Sequence, residues 1–236
     1  FAFFATLIYT LFLSFTMLVH AQESPIAFGV KTGMNLSNMN VSDYSTDSKV
    51  GFNIGLTMDI TLPVNGLSIM SGVEFTTKGF KDMYQTQQGI TVKVLATSDA
   101  MYLQLPIHLA LKANISPKTK LFVKAGPYFA YGIGGKTKME GLTMKGGGQT
   151  ITLGYDAMMD MMRDLGIDLS QAEQEVDTFN KDDGMKRFDA GIGCGIGMEF
   201  SKISVTIGYD LGLTNISRDT EKYKNQNAYL SLGYKF

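Results

Sequence analysis

"AMYLQLPIHLALK", residues 100–112, alternates without a break. Met101, Leu103, Leu105, Ile107, Leu109 and Leu111 share one face. Tyr102, Gln104, Pro106, His108 and Lys112 share the other. A period of two marks a strand, because successive side chains leave a β-strand on opposite sides. The same alternation runs through "IAFGVKTGMNLS" (26–37), "GFNIGLTMDITL" (51–62), "GLSIMSGVEFTTK" (66–78), 119–132, "RFDAGIGCGIGMEF" (187–200), "ISVTIGYDLGLT" (203–214) and "NAYLSLGYKF" (227–236). That makes eight strands of about ten residues or more, the length that crosses a bilayer at a tilt.

Soluble sandwiches also alternate, and three features separate the two cases. The apolar face is aliphatic or aromatic at almost every position, whereas the other face mixes Gly, Ser, Thr, Asn and charges. A soluble eight-stranded barrel would need bulky residues to fill its core, and a glycine-rich face cannot supply that filling alone. The connections also sort by length. Those at 63–65, 113–118 and 201–202 are short, while 38–49, 80–98, 133–186 and 215–226 are long, the asymmetry of a transmembrane barrel with short periplasmic turns and long outer loops. Finally, aromatics of outward parity sit near strand ends. Phe52, Tyr131 and Phe188 lie toward the long loops, and Phe28, Phe200, Tyr234 and Phe236 toward the short turns, as two interfacial girdles would require. The expected fold is all-β: an eight-stranded, antiparallel, up-and-down transmembrane barrel.

The chain opens with "FAFFATLIYTLFLSFTMLVHAQ", uncharged from Phe1 to Val19 and closed by Val19-His20-Ala21. This reads as the apolar part of a secretory signal peptide ending at Ala21, with the barrel domain at 22–236. A single membrane anchor is the competing reading. The initiating Met and a basic start are missing, so a truncated N-terminus is expected. A single cysteine, Cys194, excludes internal disulfides. A net charge of -1 gives no electrostatic case for nucleic acid.

"AYGIGGKT" (130–137) resembles a phosphate-binding loop, with Ala130 in place of the first glycine. Such a loop must feed a helix whose N-terminal amides face the phosphates. Here "TKMEGLTMKGGGQTITLG" follows, without helical spacing, so no nucleotide is expected. The glycines at 126, 132, 134, 191, 193, 195 and 197 instead recur at every second residue, as if facing a narrow lumen.

The inward face holds Lys31, Asp59, Glu74, Lys78, His108, Lys112, Lys124, Asp189, Glu199, Asp210 and Lys235. Acids and bases are nearly balanced, which points to a charge-paired plug rather than an ion path or a catalytic pair. His108 stands mid-strand, away from the loops, and Cys194 has outward parity, so no zinc site is expected. No catalytic residue, cofactor or metal is expected. In the loop 133–186, Asp156, Asp160, Asp164 and Asp168 recur every four residues beside Met158, Met161, Met162 and Leu165. They would stack along one or two short helices as a solvated face. The sharper reading is a cation site or a methionine-rich surface for a partner.

"FGVKTGMNLS", "YLQLPIHLALK", "FVKAGPYFAYGIGG" and "YLSLGYKF" resemble the PorT-like outer-membrane β-barrel proteins of Bacteroidetes, with G-x-K-x-G-x-N, "LQLP" and "AGPY" as the telling motifs. The resemblance implies a Gram-negative outer-membrane location, contact with outer-membrane lipid, and insertion by the BAM machinery. The expected function is a small closed barrel with a structural or loop-mediated binding role, and the outer loops are where a protein partner would dock. The alternatives are a barrel binding a small apolar ligand and an accessory component of protein secretion. A charge added on the lumenal face, as in His108→Lys, is expected to be tolerated.

Overall fold

The structure, a computed structural model, describes residues 25–41, 44–87, 89–166, 173–181, 184–218 and 222–236. The expected signal peptide and Asp168 lie outside the described residues.

Eight strands form the wall: β1 (Ile26–Val41), β3 (Lys49–Thr61), β4 (Leu67–Gln87), β5 (Ile90–Ser116), β6 (Thr119–Gly134), β10 (Phe188–Phe200), β11 (Ile203–Gly212) and β12 (Tyr223–Lys235). Each pairs antiparallel with its neighbour in the chain. The ring closes where β1 meets β12, with Val30 opposite Tyr234 and Leu36 opposite Ala228. Closure leaves no free sheet edge within the wall, which is why a barrel can stand in hydrocarbon at all.

Parity sorts the side chains as the alternation requires. On β5, Leu103, Leu105, Ile107 and Leu109 are exposed, while Tyr102, Gln104 and His108 are buried. The apolar residues are therefore on the outside and the polar residues inside, the reverse of a soluble barrel.

The long connections depart from the sequence reading. Residues 80–98 were expected as a loop, yet β4 and β5 run straight through them and turn at Gly89, whose φ of +79° suits glycine. β5 spans 27 residues, about 90 Å at roughly 3.3 Å per residue, far more than a bilayer needs. The cause is visible in "ITVKV" (90–94), whose β-branched alternation simply continues. The segment 133–186 is likewise part sheet, with β7 (Lys136–Gly146), β8 (Gln149–Gly154) and β9 (Glu175–Asp177). With β2 (Ser45–Asp47), an outer sheet of order β2-β4-β5-β7-β8 stands above the rim. One helix, α1 (Tyr155–Asp164), packs against β7 and β8.

The phosphate-loop look-alike marks the place where the wall ends. β6 pairs with the lower part of β5 and β7 with its upper part, so together they form one long strand broken at Gly135. Gly135 has φ +149°, and a Cβ there would strike the Asp99 carbonyl. A strand, not a helix, follows Lys136.

Candidate functional site: a charged lumen under an aromatic lid

The lumen is filled in tiers. Nearest the short turns, Asp59, Lys112, Glu199 and Lys235 form a quartet contributed by four strands. Lys235 Nζ lies 2.6 Å from both Asp59 Oδ2 and Glu199 Oε1. Lys112 pairs with Asp59 and, at 3.1 Å, with Glu199. Two acids and two bases in mutual contact offset the cost of removing each from water.

In the middle tier, Lys31 pairs with Glu74. Gln104 Nε2 bridges Glu74 Oε1 at 3.0 Å and Asp210 Oδ2 at 3.1 Å. Lys31 and Lys124 both lie over the Tyr229 ring, at 5.5 and 5.7 Å from its centre. His108 is buried, with neither ring nitrogen hydrogen-bonded to protein. It faces a cavity of about 60 Å³ lined also by Lys31, Lys124, Glu74, Thr206 and Ser231. A cavity this small, with these side chains on one side, has room for a few waters. At about 60 Å³ it is too small for the apolar ligand of the alternative reading.

The upper tier holds the most enclosed charges. Lys78 and Asp189 are wholly buried, with Nζ 3.5 Å from Oδ2, an ion pair that no hydrogen bond closes. Asp189 accepts from Tyr128 Oη at 3.3 Å, Asn225 Nδ2 at 3.0 Å and Thr214 Oγ1 at 2.9 Å. The Lys78 ammonium sits 4.4 Å from the Tyr128 ring centre and 5.4 Å from that of Tyr102, so the ring faces supply further stabilisation.

Above this tier lies a lid. Phe179, Met185 and Ile216 come from the outer connections and pack on Tyr102, Tyr128, Ala100 and Ala130. The Phe179 ring meets Tyr102 edge-on at 5.5 Å and rests over Gly132, and Arg187 covers it at 5.1 Å. Thr178 Oγ1 donates to the Asp99 carbonyl at 2.6 Å, which pins this segment to the rim. The sequence reading missed the lid. Its signal was a lone aromatic in the polar run "VDTFN" (176–180), too short for any period to register.

The lumenal glycines are explained by their neighbours. Phe122 lies against Gly197, Tyr229 against Gly208, Tyr128 against Gly191, and His108 with Asp210 against Gly193. The lumen is narrow, as the recurring glycines suggested, but it holds large groups; glycine on one strand makes room for a ring from another. Gly134 is different, with open space around it at the rim.

Outside, Phe52, Tyr131 and Phe188 are exposed toward the outer end, and Phe200, Tyr234 and Phe236 toward the turns, while Phe28 is half-buried. Cys194 is exposed on the wall. On α1, Asp156, Asp160 and Asp164 are solvated, Asp160 pairs with Arg163 at 2.8 Å, and Met158 is buried. In the outer sheet, Asp82 and Asp47 both bond Lys93 and hold its ammonium above the ordinary lysine pKa. Among the described residues, no group of three or more His, Cys, Asp or Glu side chains is placed to hold a metal ion.

A family model described as the outer membrane protein β-barrel domain matches residues 20–218. Among solved structures, Ail, the attachment invasion locus protein of Yersinia pestis, is 14% identical and covers 89% of this chain and 98% of its own, with a TM-score of 0.40. Neisserial surface protein A is 12% identical, with 90% and 98% covered and a TM-score of 0.40. The translocator domain of the autotransporter NalP from Neisseria meningitidis is 8% identical, with 100% and 97% covered and a TM-score of 0.27. No curated protein matches the chain. The family match spans most of a closed ring of eight strands with apolar residues outside and charges within, and the chain therefore belongs to the outer membrane protein β-barrel domain family and resides in the outer membrane.

Proposed function

We propose that this protein is a closed barrel that serves as a rigid carrier for its outer sheet and loops, in a structural or loop-mediated binding role, without catalysis or cofactor. The observation that carries this reading is the blocked lumen: three tiers of paired charge beneath the Phe179 lid, leaving a cavity of only about 60 Å³. A barrel of eight strands has just enough interior for its own side chains. Purified protein reconstituted in a planar bilayer is expected to show no steady conductance steps in salt solution. Sustained steps in every preparation would make it a channel and overturn the reading.

The finer assignment to PorT-like barrels of Bacteroidetes rests on the sequence motifs, and insertion by the BAM machinery goes with it. A protein partner would meet the outer sheet, which stands clear of the wall and carries exposed Ile90 and Ile151. We also assign residues 1–21 as a signal peptide. N-terminal sequencing of protein extracted from outer membranes should start at Gln22, whereas retention of Phe1–Ala21 in most molecules would favour a membrane anchor.

A further inference from the structure

Three lysines crowd one arc of the short-turn end. Lys118 lies in the β5–β6 turn, Lys120 follows at the start of β6, and Lys202 lies in the β10–β11 turn; all are exposed. The two turns are tied together, since Ser201 N donates to the Lys118 carbonyl at 2.8 Å and Phe200 pairs with Thr119 in register. Among the described residues, no exposed Asp or Glu side chain shares this end. Asp59 and Glu199 are buried and committed to Lys112 and Lys235. The exposed acids of the described residues, such as Glu140, Asp156 and Glu175, belong to the outer part. A chain with a net charge of only -1 is thus polarised along the barrel axis.

Lys202 also stands at a particular depth. Lys202 Nζ lies 5.9 Å from the centre of the Tyr234 ring. Tyr234, Phe236 and Phe200 are exposed on the wall beside it. Aromatic side chains of this kind mark the boundary between hydrocarbon and headgroups, so an ammonium held over one of them sits at the level of lipid phosphates. The turns themselves are two residues each, Pro117-Lys118 and Ser201-Lys202, which offers a folded protein little surface to grip.

We propose that Lys118, Lys120 and Lys202 form a headgroup site for an anionic phospholipid of the periplasmic leaflet. The assignment depends on the short turns facing the periplasm but not on the role of the outer loops. Attraction to an anionic membrane surface amounts to about fivefold per lysine and weakens as salt rises.

The test is native mass spectrometry of the folded, full-length protein in detergent, titrated with phosphatidylglycerol or with phosphatidylcholine of the same acyl chains. The parent should retain phosphatidylglycerol at least fivefold better, and the preference should shrink at high salt. Lys118→Gln/Lys120→Gln/Lys202→Gln should abolish it, while the corresponding triple arginine variant and the outer-end control Lys136→Gln/Lys138→Gln/Lys145→Gln should keep it. Heat-modifiability on a gel verifies that each variant is folded. Equal retention of the two lipids by the parent, or an undiminished preference in the triple glutamine variant, would sink the proposal. If the parent instead favours a soluble polyglutamate peptide over phosphatidylglycerol, the patch belongs to an acidic protein and not to lipid. Channel activity, which would overturn the closed-barrel reading, would leave this outcome unaffected.

Discussion

Asp189→Ala is expected to cost the barrel about 3–5 kcal/mol, the usual penalty for removing one partner of a buried ion pair. Lys78 would be left wholly enclosed between the Tyr102 and Tyr128 rings without its direct ion-pair partner, with Asp210 as the more distant carboxylate, and Tyr128, Asn225 and Thr214 would each lose an acceptor. Against a typical stability of roughly 5–15 kcal/mol that loss is large. The paired replacement Lys78→Met/Asp189→Leu should recover part of it, because it removes the unpaired Lys78 charge while keeping volume, whereas Tyr128, Asn225 and Thr214 would still lack their acceptor. Urea unfolding of the three proteins in lipid vesicles measures the difference. A midpoint for Asp189→Ala equal to the parent's would show that the upper tier contributes nothing to stability.

Ile107→Arg should block insertion, whereas His108→Gln should not. The two residues are adjacent on β5 and point to opposite sides, with Ile107 40% exposed on the wall and His108 2% exposed in the lumen. A basic side chain on the lipid face near the midplane costs about 2–4 kcal/mol. Glutamine at 108 keeps a hydrogen-bonding group in a polar cavity and adds no charge. Lysine at 108, which the sequence reading expected to be tolerated, is a poor control, because Lys31 and Lys124 already line that cavity. The folded fraction in vesicles reports the outcome. If Ile107→Arg folds as fully as the parent, the two faces of the wall have been assigned backwards.

The wall was legible because its information is local. One turn of the pleat tells which way Leu105 and Gln104 point, and no partner is needed. The lumen was legible only as a set of charges. Lys31, Asp59, Glu74, Asp189, Glu199 and Asp210 could be placed inside by parity, but which acid meets which base depends on how strands are staggered around the ring. Gln104 and Asp210 share a hydrogen bond across 106 residues of sequence, and nothing near either residue announces it. The outer sheet was misread for a different reason. Residues 80–98 were assigned to a loop between two alternating segments, yet "ITVKV" keeps strand periodicity beyond the membrane, and periodicity alone does not say where hydrocarbon ends. The segment Thr178–Phe179 carried no period at all, and its place over the lumen comes from tertiary packing on Tyr102.

The interior ties together parts of the chain that are made at very different times. Ser231 reaches Asn53 across 178 residues, and Lys235 reaches Asp59 across 176. Such contacts carry a high loop-closure cost and slow the approach to the final state. Asp59 therefore has no access to Lys235 until β12 has arrived and the seam with β1 has formed. A half-assembled sheet would present unpaired carboxylates and ammonium groups on the face that later becomes the lumen. Lys112 and Lys31 can meet Asp59 and Glu74 within the first strands, so docking of the last strand completes the neutralisation of the interior by adding Lys235 as the seam seals.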